Sequence, residues 1–195
     1  MTTAWPDLVT EATIFSTSVL GKCTDQDWSR TAGELEWSCY DTVSHLSQAI
    51  YGYSALLIAQ PTDRYIGVRF GVDAGTPPEL AVEGIQVGGT LLESTLLRSS
   101  PDVRAFHSWG TGDPAGYAAM AVLELLVHSR DIAQGFGLEQ PLPDHLCEPT
   151  VQRLFPQAPT GFSPSETLLW CTGRIALDGP GLERQKQWRW YGDVR

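Results

Sequence analysis

Asparagine is absent from this 195-residue chain, and lysine occurs only at positions 22 and 186, so arginine carries most of the positive charge. Lys and Asn codons are AT-rich, and this bias is the one a GC-rich genome leaves. Positive charge is also short in total: the net charge is −10, which argues against nucleic acid and against anionic membrane surfaces as partners. No stretch approaches about 18 consecutive apolar residues, so no transmembrane helix is expected. The opening Met1-Thr-Thr-Ala-Trp-Pro-Asp7 lacks a basic region followed by an apolar core. No signal peptide is therefore expected, and the location read from the sequence is cytoplasmic. Four cysteines occur, at 23, 39, 147 and 171, with no Cys-x-x-Cys pair. Without an export signal, a disulfide framework is not expected in a chain of this length. Cys39 and Cys171 fall in apolar-periodic runs and read as small buried hydrophobes. There is no Gly-x-Ser-x-Gly and no Cys–His arrangement that would supply a protein nucleophile.

What is present is an ordinary globular balance, 42% apolar and 18% charged, in a chain long enough for one domain with a real core. Apolar spacing near 3.6 residues predicts helices over 8–22, 37–60, from Pro77-Pro78 to about 97, and over 115–135. Pro61 ends the second, and Gly135 and Gly137 close the fourth. Gly84 and Gly88 lie four apart and suggest a close helix crossing. Short helices are expected near 143–155 and after Ser163, which can cap with Pro164 at the first helical position. The segment 61–76 reads as a connection in which Arg64–Phe70 could pair as a short strand. Arg174–Leu177 and Gln187–Tyr191, separated by a Gly-Pro-Gly turn, suggest a small terminal β-hairpin. Four long amphipathic helices with a long second connection imply a mainly all-α helical bundle, as one domain over 1–195.

Three residues on two of these helices can ligand a metal. Glu124 and His128 lie four apart in Met120-Ala-Val-Leu-Glu-Leu-Leu-Val-His-Ser-Arg-Asp131, which puts both on one helix face. That face is otherwise apolar and should point inward, where a carboxylate and an imidazole need partners. His45, in Trp37-Ser-Cys-Tyr-Asp-Thr-Val-Ser-His-Leu46, could be the third ligand. Two His and one Glu leave a fourth position open for water or substrate, the pattern of catalytic zinc sites. Asp131 continues the Glu124 face and could orient a ligand His or face a substrate. Asp41, four before His45, could do the same or cap its helix. Arg174 suits a substrate carboxylate by bidentate pairing, and equally the last carbonyls of its own helix. His107 and Trp109 could line the mouth of the site, whereas His145 reads as a surface residue. Trp188 and Trp190 should cover the end of the bundle.

The run from Trp37 to Leu46 resembles the tryptophan-to-histidine motif of the DinB-like, mycothiol-dependent maleylpyruvate isomerase N-terminal domain family. Glu124-Leu-Leu-Val-His128-Ser-Arg-Asp131 is similar to that family's second motif. Leu168-Leu-Trp-Cys-Thr-Gly173-Arg174 is similar to its third, weaker one. The three stand in family order and span most of the chain. The resemblance implies an antiparallel four-helix bundle with a divalent metal in its core: zinc, or another such as nickel or iron(II). It implies His45, Glu124 and His128 as ligands, and a low-molecular-weight thiol, above all mycothiol, as co-substrate. The isomerase proper carries a further C-terminal α/β domain, for which the sequence after the bundle reads as too short. The family's thiol S-transfer or thiol-assisted isomerisation is therefore expected, rather than maleylpyruvate isomerisation itself. Two neutral imidazoles and one carboxylate leave a zinc site with a net charge of about +1, which a thiolate would neutralise. Metal-assisted hydrolysis would use the same ligands, and a non-catalytic metal- or small-molecule-binding protein would keep the same bundle. A small thiol and an electrophile are the expected partners, with a homodimer left open.

Overall fold

The computed structural model describes residues 4–194; residues 1–3, which begin the stretch read above for an export signal, and residue 195 lie outside the description. Four long helices form the core: α1 (Trp5–Gly21), α2 (Cys39–Ala59), α3 (Pro78–Arg98) and α4 (Pro114–Gly135). Two shorter ones follow, α5 (Asp144–Leu154) and α6 (Pro164–Cys171). α1 and α2 each pack against both α3 and α4, so they occupy opposite corners of a four-helix bundle. α2 is thereby a direct neighbour of α4, which brings His45 to Glu124 and His128.

α4 is buried without a break from Gly116 to Ser129. Its Leu123, Leu125 and Leu126 point in different directions, yet all are closed off from water. A helix apolar all round is a core helix rather than a half-exposed one, and here α1 and α2 cover it within the bundle while α5 packs on it from outside. Each such leucine contributes about 1.5–3 kcal/mol by burial. Asp113 starts α4 by accepting the Gly116 N–H at 2.7 Å.

α2 starts at a reciprocal cap. Ser38 Oγ accepts the Asp41 N–H at 3.0 Å, and Asp41 Oδ2 accepts the Ser38 N–H at 3.2 Å. It ends at Gln60, whose φ of 50° is left-handed, immediately before Pro61. The Pro61 carbonyl then accepts the Phe106 N–H at 2.7 Å. This ties the end of α2 to an antiparallel hairpin of β1 (Ala105–His107) and β2 (Gly110–Gly112).

That hairpin is the small β element of the fold, and it lies ahead of α4 rather than at the C-terminus. Neither 64–70 nor the pair 174–177 and 187–191 forms a strand. The terminal segment is held by scattered bonds, Leu177 N–H to Leu182 O at 2.9 Å and Tyr191 N–H to Leu154 O at 2.7 Å. The alternation of Trp188 and Trp190 serves ring packing instead, with Trp109 6.2 Å and 4.5 Å away. The close helix crossing falls at Gly88, as expected, but with Gly89 beside it rather than Gly84. A Cβ on Gly88 would lie 2.6 Å from Ile50 Cδ1, and one on Gly89 would collide with Thr13, whereas one on Gly84 meets nothing within 4 Å. Among the described residues, no helix is long and apolar enough to cross a membrane.

Candidate metal centre

His45 on α2 and Glu124 and His128 on α4 each offer one ligand atom, and these atoms all lie within 4.8 Å of one another. Glu124 Oε2 is 3.2 Å from His45 Nε2 and 3.0 Å from His128 Nε2. A tetrahedral zinc with bonds of about 2.0–2.1 Å spaces its ligand atoms about 3.3–3.4 Å apart. The two separations from Glu124 lie within a few tenths of an ångström of that spacing. Two imidazoles and a carboxylate also form a donor set suited to a divalent cation of this kind.

Electrostatics ties the three together. Burial would raise the Glu124 carboxyl, but hydrogen bonds and charge from His128 and His45 hold it well below the usual carboxylate range. Burial would lower His128, yet Asp131 and Glu124 on either side push it up to about 9. Without a cation, then, an imidazolium between two carboxylates offsets one of their two buried negative charges. His128 Nδ1 lies 3.2 Å from Asp131 Oδ2, which leaves Nε2 directed at Glu124. A carboxylate on the far nitrogen is the arrangement that orients metal-ligating histidines.

Asp131 is held in turn by Arg174. Its Oδ2 accepts from Nη2 at 2.7 Å and its Oδ1 from Nε at 3.4 Å. Burial raises the Asp131 carboxyl, and the bonds to His128 and Arg174 override it and hold the group low. Arg174 Nη1 also donates to the Thr172 carbonyl at 2.6 Å, which is the helix-end role read for it, while its guanidinium pairs with a carboxylate of the protein rather than of a substrate. That carboxylate belongs to Asp131.

The cluster lies at the base of a cavity of about 400 Å³. The His45 side chain is 34% exposed and the Glu124 side chain 5%, so the site opens past His45. Trp109, Trp188, Trp190 and Arg174 line the cavity, with the guanidinium 5.7 Å above the Trp188 ring. Trp37 also lines it, its ring 5.1 Å from His45 and 6.4 Å from His128. Trp37 had no role in the sequence reading beyond marking a motif, and Trp188 and Trp190 had only a covering one.

No family model, curated protein or solved structure matches this chain.

Of the other residues singled out, Trp109 reaches the metal cavity, but His107 does not. It lines a separate cavity that shares His45. Asp41 is spent on the α2 cap and touches none of the three ligands. His145 is exposed and meets Glu11 at 2.9 Å. All four cysteines are buried and free. Burial pushes Cys39 up to about 11 and Cys147 and Cys171 up to about 12, so these thiols are poor nucleophiles at neutral pH.

Proposed function

We propose that this chain is a metal-dependent enzyme of the DinB-like, mycothiol-dependent maleylpyruvate isomerase N-terminal type. In this reading it uses a low-molecular-weight thiol in S-transfer or thiol-assisted isomerisation. The observation that carries the proposal is the His45–Glu124–His128 cluster at the base of an open cavity. A bound divalent cation, zinc in the first instance, would supply the positive charge that lowers a thiol's pKa from about 8.5 and keeps the thiolate available at neutral pH.

The chain's own groups do the rest. His45, Glu124 and His128 hold the cation, and Asp131 fixes the His128 ring so that Nε2 stays free for it. Arg174, anchored by Asp131 and Thr172, presents a guanidinium to the cavity wall, where it suits a polar or anionic part of the thiol. Trp37, Trp109 and Trp188 give the cavity apolar faces that exclude water from the reacting groups. The exposed side of His45 gives the thiol proton a route to solvent. The high thiol pKa values of the chain's own cysteines favour an external thiol over a protein nucleophile.

The test combines elemental analysis of zinc-loaded protein with a thiol-consumption assay, using mycothiol and an activated aryl halide. The expected result is one zinc per chain and zinc-dependent thiol loss that Glu124→Ala abolishes. Thiol loss unchanged by a chelator would overturn the proposal. Turnover of an ester without thiol would move the site to the hydrolase reading.

A further inference from the structure

A second cavity, of about 450 Å³, opens on the other side of His45, between α2 and the strap 64–72. The strap is irregular but fastened. Its Val72 N–H donates to Ser44 Oγ at 3.1 Å, Phe70 stacks on Tyr51 at 5.7 Å, and the Tyr65 hydroxyl donates to Ser108 Oγ at 3.1 Å. The cavity is therefore formed before any ligand arrives. Tyr65, Ile66, Phe70 and Leu56 give it apolar and aromatic walls.

Several polar groups on this cavity, the exposed Gln48 amide among them, have no partner among the described residues. Tyr53 is only 6% exposed and packs on Tyr117 at 5.5 Å, and its hydroxyl makes no hydrogen bond among the described residues. Among the described residues, the sealed polar side-chain atoms without a partner are Ser47 Oγ and Trp190 Nε1. The Tyr53 hydroxyl is not one of them, so the cavity it lines is its route to a partner. His107 Nδ1 accepts the Trp109 backbone N–H at 3.1 Å, which leaves the proton of the neutral ring on Nε2. That N–H is also unbonded among the described residues, and Arg69 at the rim has no ion pair there. A hydroxyl, an imidazole N–H and a guanidinium can all donate. A ligand that answers them carries acceptors and negative charge, and the ring walls suit a flat apolar body.

We propose that this cavity binds a flat apolar carboxylate, as the site of the second substrate beside the metal centre. The role as second-substrate site rests on the function proposed above, whereas binding of the carboxylate stands without it.

The experiment is calorimetric titration of 2-naphthoate, and of its neutral counterpart 2-naphthalenemethanol, into the full chain. Chelator-treated and zinc-loaded protein are run in parallel. The acid should bind more tightly than the alcohol in both states. Tyr53→Phe should weaken the acid about tenfold, and Arg69→Gln about three- to fivefold. A Cβ on Gly52 meets nothing within 4 Å, and Gly52 lines this cavity. Gly52→Leu should therefore fill the cavity and abolish binding, without lowering Tm, because leucine favours a helix interior over glycine. Equal binding of acid and alcohol overturns the proposal, as does unchanged acid binding in Tyr53→Phe and Gly52→Leu. Naphthoate binding by a chain that takes up no zinc supports the cavity and removes the metal reading. Zinc uptake with no naphthoate binding does the reverse.

Discussion

Replacing Glu124 by alanine removes the carboxylate oxygen that both histidines meet, at 3.2 Å and 3.0 Å. With zinc present, the site would pass from a net charge of about +1 to about +2 and keep two protein ligands instead of three. In the cation-free chain His128 retains Asp131 as a partner. The cost to the fold should then sit at or below the about 3–5 kcal/mol typical of breaking a buried ion pair. Asp131→Ala is the informative comparison. It leaves all three ligands and removes the group that bonds His128 Nδ1 and Arg174. Losing such a supporting carboxylate costs about 10–100-fold in metal affinity, or about 1.4–2.7 kcal/mol. Losing the ligand itself should exceed that range. Zinc titration against a chromophoric chelator, with circular dichroism as a control for folding, separates the two variants. At zinc concentrations that saturate Asp131→Ala, Glu124→Ala should be largely empty. Equal zinc affinities in two folded variants would show that Glu124 is not a ligand.

An ordinary imidazole would place the loss of metal near pH 6, but His128 is pushed up to about 9, so zinc uptake at pH 7.5 should release close to one proton from it, read with a weakly buffered indicator dye. The cation-free chain should gain stability from the His128 charge fully below about pH 6.5 and lose that gain as pH rises through about 9. The depressed Glu124 and Asp131 carboxyls act oppositely: their contribution is present above the ordinary carboxylate range and is lost on strong acidification, so denaturation midpoints should peak in mildly acidic solution. Gly88→Ala should place a Cβ 2.6 Å from Ile50 Cδ1 and cost about 1–3 kcal/mol by overpacking, visible as a lower Tm. Ser38→Ala should remove the α2 cap at a cost of about 0.5–2 kcal/mol while leaving zinc affinity unchanged. The four buried cysteines should react with iodoacetamide only on unfolding, as mass spectrometry would show.

The bundle and the metal cluster were legible because each left a local signal. The helices announced themselves through 3.6-residue spacing and through caps such as Ser38 and Ser163. Glu124 and His128 did so through an i, i+4 pair of buried polar groups, and His45 through the motif around it. The hairpin was misplaced because alternating Trp188 and Trp190 look like a strand, and nothing local reveals that their rings pack on Trp109 instead. Of the two crossing glycines, Gly88 stands at the close approach and Gly84 does not, since only the packing of Thr13 and Ile50 picks out Gly88 and its neighbour Gly89. Asp41 shows the opposite limit: its spacing from His45 fits a supporting role, but the nearer Ser38 claims it. Trp37 and Tyr53 matter through what they face in space, the two histidine rings and a cavity, and no sequence period encodes that.

The most direct test of the metal centre is anomalous X-ray diffraction at the zinc edge from crystals of the zinc-loaded chain. The expected result is one peak per chain, bonded to His45 Nε2, His128 Nε2 and a Glu124 carboxylate oxygen at about 2.0–2.2 Å, with a non-protein ligand in the remaining position. A peak elsewhere, or no peak while His45, Glu124 and His128 keep their mutual hydrogen bonds, would contradict it.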